Sequence, residues 1–379
     1  MEKSRIFGLD FLRCLAILIV VIGHGLVLIP SFGGVYEFFR VFDFLGVEFF
    51  FVLSGFLIGT IFLKILSADS GGRELINFWK RRWWRTLPNY YLFLIINIIG
   101  FGFLKDDFSF DWKYLFFLQN LTSPNEGFFS VSWSLAVEEL FYITIPLIYL
   151  FFLRIIKVID VAILLTIFLV IIWSFVVRYN YIINYEATWN EEIRRVALLR
   201  LDSLIYGVAG AWLWLKKQDF LKKYKVSFFL IGTLLISFGI FFRNVPEVND
   251  NTLILLLLFP IISLGVTFWL PVLASWKSKS ARNGLIEKSV VKISLWSYSL
   301  YLVHVPLMEG FRIFILSDSI DNSFFQILVF FIWIFCALIL SFFIYRFFEK
   351  PFTDLRDRKS NGEWLRAFIS DFSLIRSKK

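Results

Sequence analysis

The sequence predicts an all-α polytopic membrane protein with about ten transmembrane helices and both termini cytoplasmic. Hydrophobic residues make up 58% of the 379-residue chain and charged residues 18%, and the apolar residues fall in runs long enough to cross about 30 Å of hydrocarbon. Aromatics reach 20%, with 49 Phe and 14 Trp, more than one compact core can absorb, so many must face lipid or stack between helices. Most of the 39 Lys and Arg lie in the leader, the even-numbered loops and the tail, and this bias sets the orientation.

Apolar runs of about 17 to 22 residues are centred near Val20, Ser54, Ile95, Ile143, Leu169, Tyr206, Leu235, Ile261, Val303 and Ile334. The first follows a short leader, lacks a small-residue cleavage site and carries Arg13 and His24, so it reads as an uncleaved helix rather than a secretory signal. The third is interrupted by Asn97, Gly100 and Gly102, and Trp112 to Leu118 reads as a short interfacial or re-entrant segment. Asp106, Asp107 and Asp111, with Glu186 to Glu192, belong to outside loops, whereas the loops around Arg73 to Arg85, Lys216 to Lys225 and Lys277 to Lys292 are basic and inside. Residues 1–348 are expected to form the transmembrane domain and 349–379 a short cytoplasmic tail, with a weakly amphipathic stretch from Trp364 to Ile375.

The net charge of +9 follows from these loops and does not imply nucleic-acid binding. Cys14 and Cys336 lie inside apolar runs, where they read as packing residues rather than as a disulfide framework. No metal site is expected.

Ionisable groups inside spans cost several kcal/mol each, so each needs a partner or a task. Asp10 and Arg13 are three apart on the first helix and can pair. His24 lies eleven residues beyond Arg13, which places both on one helical face about 17 Å apart. The chain has only two histidines, His24 and His304, and both fall in predicted spans; interhelical hydrogen bonding is the bland alternative to a chemical role. In the second span Glu48 must snorkel or face a cavity, while Gly55 and Gly59 read as a close-packing face. Arg82 and Arg85, three apart within Trp79-Lys80-Arg81-Arg82-Trp83-Trp84-Arg85, either anchor the helix at the interface or grip phosphates. At the start of the fourth span Ser134 and Glu138 are four apart and share a face, at a depth that matches His24, and Glu139 is free to snorkel to water. Arg200 and Asp202 in the sixth span read as buried partners of other polar groups.

As a set, these motifs resemble the acyltransferase 3 family of integral-membrane O-acyltransferases. The resemblance rests on Gly8-Leu9-Asp10-Phe11-Leu12-Arg13 with His24, Gly46-Val47-Glu48 through Ser54-Gly55-Phe56-Leu57, and Arg82-Trp83-Trp84-Arg85 before Pro88 and Tyr90. It continues through Trp133-Ser134-Leu135-Ala136-Val137-Glu138, Ser297-Tyr298-Ser299-Leu300-Tyr301-Leu302-Val303-His304 and Glu349-Lys350-Pro351, and so spans nearly the whole chain. It implies that His24 is the catalytic base or acyl relay, that Arg82 and Arg85 hold the donor, and that Glu138 supports the chemistry. Relatives usually carry Asp where this chain has Glu48. Some also carry an esterase-like extracytoplasmic domain behind the membrane part, which this chain is expected to lack.

The resulting expectation is an O-acyltransferase of the bacterial plasma membrane. Acyl-CoA, expected as acetyl-CoA, is a co-substrate and no cofactor is called for; the acceptor is a hydroxyl of an extracytoplasmic glycan. The donor phosphates would rest on Arg82 and Arg85 with its arm passing Arg13, and Glu138 would orient the His24 imidazole. Asp10, Glu48, Ser134, Tyr301 and His304 are supporting or acceptor-side candidates. A transporter or flippase of a glycan or lipid-linked sugar is the competing class, against which stands the absence of an apparent inverted repeat.

Overall fold

The computed structural model describes residues 5–29, 39, 41–42, 44–66, 72–104, 108–125, 127–277, 284–315 and 322–355. The Trp364 to Ile375 stretch, Asp106 and Asp107 lie outside the described residues. Ten long helices form a bundle: α1 (Phe7–Gly25), α2 (Leu45–Ile65), α3 (Gly72–Leu104), α4 (Ser132–Ile156) and α5 (Ile159–Asn184). The second five are α6 (Leu201–Lys216), α7 (Lys225–Arg243), α8 (Thr252–Ser275), α9 (Leu285–Phe314) and α10 (Ser323–Ile344). No strand occurs among the described residues.

Each helix covers one of the predicted apolar runs. Nine are long and apolar enough to cross a bilayer; α6, at 16 residues, is the exception. It is also the helix for which span length matters least, because it is packed inside the bundle with Leu204, Ile205, Val208 and Ala211 fully buried. The chain outside is correspondingly apolar: Phe168, Leu234 and Phe331 are more than 60% exposed, as residues facing lipid tails would be. α3 runs unbroken through Gly100 and Gly102, and Asn97 satisfies its amide on the Phe93 carbonyl of its own helix.

α2 and α6 pack backbone to backbone. A Cβ on Gly55 would collide with the Leu204 carbonyl, and one on Gly207 with the Val52 carbonyl, so the two backbones touch only because both positions are glycine. This contact fixes the rotation of α2, and Glu48 is thereby turned into the protein. There it accepts from Arg200 and from Ser203 (3.1 Å), all three being fully buried, while Ser263 of α8 lies at 3.4 Å. Arg178 of α5 pairs beside them with Asp202 at 2.6 Å. Arg200 and Asp202 therefore tie α2, α5, α6 and α8 together as the buried partners they were expected to be. The expectation that Glu48 snorkels or faces a cavity is corrected: it is a cross-link, because a carboxylate in an apolar bundle is cheapest where a guanidinium meets it.

The segment between α3 and α4 decides the level of the site. Tyr90, near the middle of the 33-residue α3, donates to the Tyr114 carbonyl at 2.7 Å, and its ring stacks against Phe117 (centroids 4.1 Å apart) and Phe129 (5.5 Å). The stretch around Trp112–Phe116 is thus folded inward against the helix, and α4 begins half-way along α3 rather than at its end.

Beyond α10 the chain stays helical to Leu355. Glu349 is buried and accepts from Ser299 (2.6 Å) and Asn89 (3.1 Å), so this residue joins α3 and α9.

Candidate active site

Arg82 and Arg85 lie one turn apart on α3 and both line a partly open cavity, while Lys80, Arg81 and Trp84 on the other faces are exposed. Arg13 of α1 enters the same cavity, as do Ser54, Ser134, Glu138, Ser297, Tyr298 and Tyr301. Three guanidiniums supply the charge that a polyanionic ligand needs. The three arginines thus line one cavity together with Glu138, Ser134 and Tyr301.

Their partners differ from expectation. Glu138 does not hold His24. One carboxylate oxygen takes Arg82 at 2.7 Å and the Tyr142 hydroxyl at 2.6 Å, and the other takes Ser54 at 3.2 Å. Arg82 also donates to Tyr142 at 2.6 Å and lies over that ring, 4.0 Å from its centroid. The reason is the inward start of α4, which carries Glu138 past the level of the histidines to that of Arg82. Glu139 is buried rather than snorkelling: Trp83 donates to it at 3.2 Å and Thr86 at 3.1 Å. Asp10 is held chiefly by Arg5 (2.9 and 2.5 Å) and by Ser294 (2.8 Å), with Arg13 farther off at 3.8 Å, so it anchors the start of α1 and leaves Arg13 turned to the cavity.

Ser134 and Tyr301 meet at 2.6 Å, and Tyr301 also donates to the Val131 carbonyl at 3.1 Å. This bridge between α4 and α9 forms part of the cavity wall. One turn further along α9, the His304 ring lies 5.7 Å from the Tyr301 ring. His304 Nε2 is 2.8 Å from Nδ1 of His24, and the two imidazoles are near parallel, 5.1 Å between centroids. His304 is fully buried and sits behind His24, which is exposed; of its two readings, supporting or acceptor-side, its contact with the other histidine corresponds to the first.

Sequence reasoning missed Tyr142, Ser54, Ser297 and Tyr298 in this site. Tyr142 had a signal, four residues after Glu138 on the same face. Ser54 sits inside the quoted second-span motif but has nothing local to separate it from packing.

A bundle of apolar helices, with a cationic cavity whose wall residue Tyr301 packs against a histidine pair outside the lining, fits the integral-membrane acyltransferases. The comparison with known families agrees: an acyltransferase domain model matches residues 6–346. The chain belongs to the acyltransferase 3 family. It is similar to O-acetyltransferase OatA of Staphylococcus aureus (strain NCTC 8325 / PS 47), 29% identical over 364 residues, covering 91% of this chain and 56% of that protein. It is also similar to a putative O-acetyltransferase of S. aureus strain COL, 29% identical over 402 residues, covering 98% of this chain and 61% of the relative. The chain thus spans about three-fifths of the length of these curated relatives. No solved structure matches it.

Proposed function

We propose that the protein is an O-acetyltransferase of the bacterial plasma membrane that moves an acetyl group from acetyl-CoA to a hydroxyl of an extracytoplasmic glycan. The observation that carries this reading is the single cavity in which Arg13, Arg82 and Arg85 converge and whose Ser134–Tyr301 wall adjoins the histidine pair. The names of the relatives support acetyl as the group transferred. The cavity runs along α2 from Val47 to Ile61, and its arginines come from the N-terminal half of α1 and the first half of α3, the ends that border the basic segments read as cytoplasmic.

In the reaction the arginines hold the donor phosphates and place the thioester beside His24. His24 takes the proton from the acceptor hydroxyl as its oxygen attacks the thioester carbonyl. The carbon–sulfur bond breaks, and the thiolate leaves with the proton returned from His24. An acyl-histidine relay uses the same nitrogen and differs only in forming a labelled protein before acceptor is added.

The test is incubation of the purified full chain with radiolabelled acetyl-CoA. Release of free CoA thiol that depends on His24, with label on protein or on an added glycan hydroxyl, is the expected result. Intact acetyl-CoA after prolonged incubation with glycan acceptors present would overturn the reading.

A further inference from the structure

We propose that His304 is a positioning residue that fixes the tautomer of His24, so that the Nε2 of His24 carries the free lone pair. The inference rests on the proposed function only in calling that lone pair the reactive one.

The argument begins at the backbone. His304 Nδ1 is 3.1 Å from the Leu300 carbonyl, one turn earlier on α9. A carbonyl oxygen only accepts, so His304 Nδ1 carries hydrogen and donates it. In the neutral form of this fully buried ring, that is its one N–H. A neutral imidazole has one N–H, so His304 Nε2 is bare and can only accept. The atom facing it at 2.8 Å is His24 Nδ1, which must therefore donate. His24, if neutral, is then left with an unprotonated Nε2, on the edge of the ring turned away from His304.

This is the role an aspartate plays behind the histidine of a Ser-His-Asp triad, performed by a neutral acceptor. When His24 takes a proton at Nε2, its Nδ1–H becomes a charge-assisted donor and the contact with His304 strengthens. The backbone on both sides is held by Trp333 of α10. Its indole donates to the His304 carbonyl at 3.3 Å, and the same ring fills the space beside Gly25 that any Cβ would need, so α1 and α9 are locked together next to the pair.

Two histidines in the chain make the test direct, because a full-length protein labelled with ¹⁵N in its imidazoles has only four ring nitrogens. With both rings neutral, nitrogen NMR of the wild type should show each histidine protonated at Nδ1 and bare at Nε2. His304→Gln keeps an acceptor oxygen at similar reach and should preserve the Nδ1–H form of His24 and hold turnover within about 10-fold of wild type. His304→Phe removes the acceptor; His24 should then show mixed tautomers, and turnover should fall about 10² to 10⁴-fold at unchanged donor KM. A wild-type His24 protonated at Nε2, or equal turnover in the Gln and Phe variants, would overturn the assignment. The spectra need no turnover, so a chain that shows the locked tautomer and consumes no donor supports this assignment and defeats only the proposed function.

Discussion

Arg82 and Glu138, 56 residues apart in the chain, form a 2.7 Å ion pair on the cavity wall, with each side chain only about one-seventh exposed. On the proposed function, Glu138 acts on the arginine that would hold the donor and reaches the chemistry through it, while His304 lies on the other side, against the imidazole of His24.

The first prediction separates these roles. Glu138→Gln should weaken apparent donor affinity about 10- to 150-fold, corresponding to roughly 1.5 to 3 kcal/mol for a charged hydrogen bond, with a smaller change in turnover at saturation. The double variant with Arg82→Gln should lose less than the sum of the two single losses. Additive losses in steady-state kinetics would show that the pair does not act as a unit.

The three arginines and His24 should split by kinetic parameter and by side of the membrane. Replacing Arg13 or Arg85 should raise the donor KM by a similar 10- to 150-fold, whereas His24→Ala should bind donor nearly normally and form no product. In sealed vesicles of known orientation, donor should be used only from the side bearing the basic loops. Donor use from the opposite side would place the cavity mouth wrongly.

Glu48 and Arg200 should behave as structural residues. Glu48→Gln leaves a guanidinium fully buried without its counter-charge, a change expected to cost about 3 to 5 kcal/mol. Thermal unfolding in detergent should fall sharply, and the fraction that stays folded should retain near-normal turnover per molecule. A stable Glu48→Gln protein with lost turnover would return Glu48 to the active site.

Ser134→Ala and Tyr301→Phe each remove the 2.6 Å bridge between α4 and α9. Their effects on stability, about 0.5 to 1.5 kcal/mol per hydrogen bond lost, should overlap in the double variant through the shared contact, with Tyr301→Phe costing more because it also loses the bond to the Val131 carbonyl. Independent effects in a thermal-shift series would mean that the bridge does not close the wall.

The sequence by itself determined where the helices lie and which polar groups are costly. A run of apolar residues announces a span locally, and a charge or imidazole inside such a run stands out without knowledge of its neighbours. His24 and Arg13 were legible for that reason; the Arg82–Arg85 turn stood out as a basic and aromatic cluster just ahead of a span, and Ser134 with Glu138 by their spacing on one helical face. Which of these groups meet was decided only by the tertiary structure. The rotation of α2 depends on two glycines on different helices, Gly55 and Gly207, and it turns Glu48 toward Arg200. The depth of Glu138 depends on the stretch around Tyr114 folding against Tyr90, which carries α4 inward to Arg82. His24 and His304 are 280 residues apart, and periodicity along one helix carries no information about the offset and rotation of another. Those offsets are set by packing between helices, and they chose His304, rather than the carboxylate of Glu138, as the partner of His24.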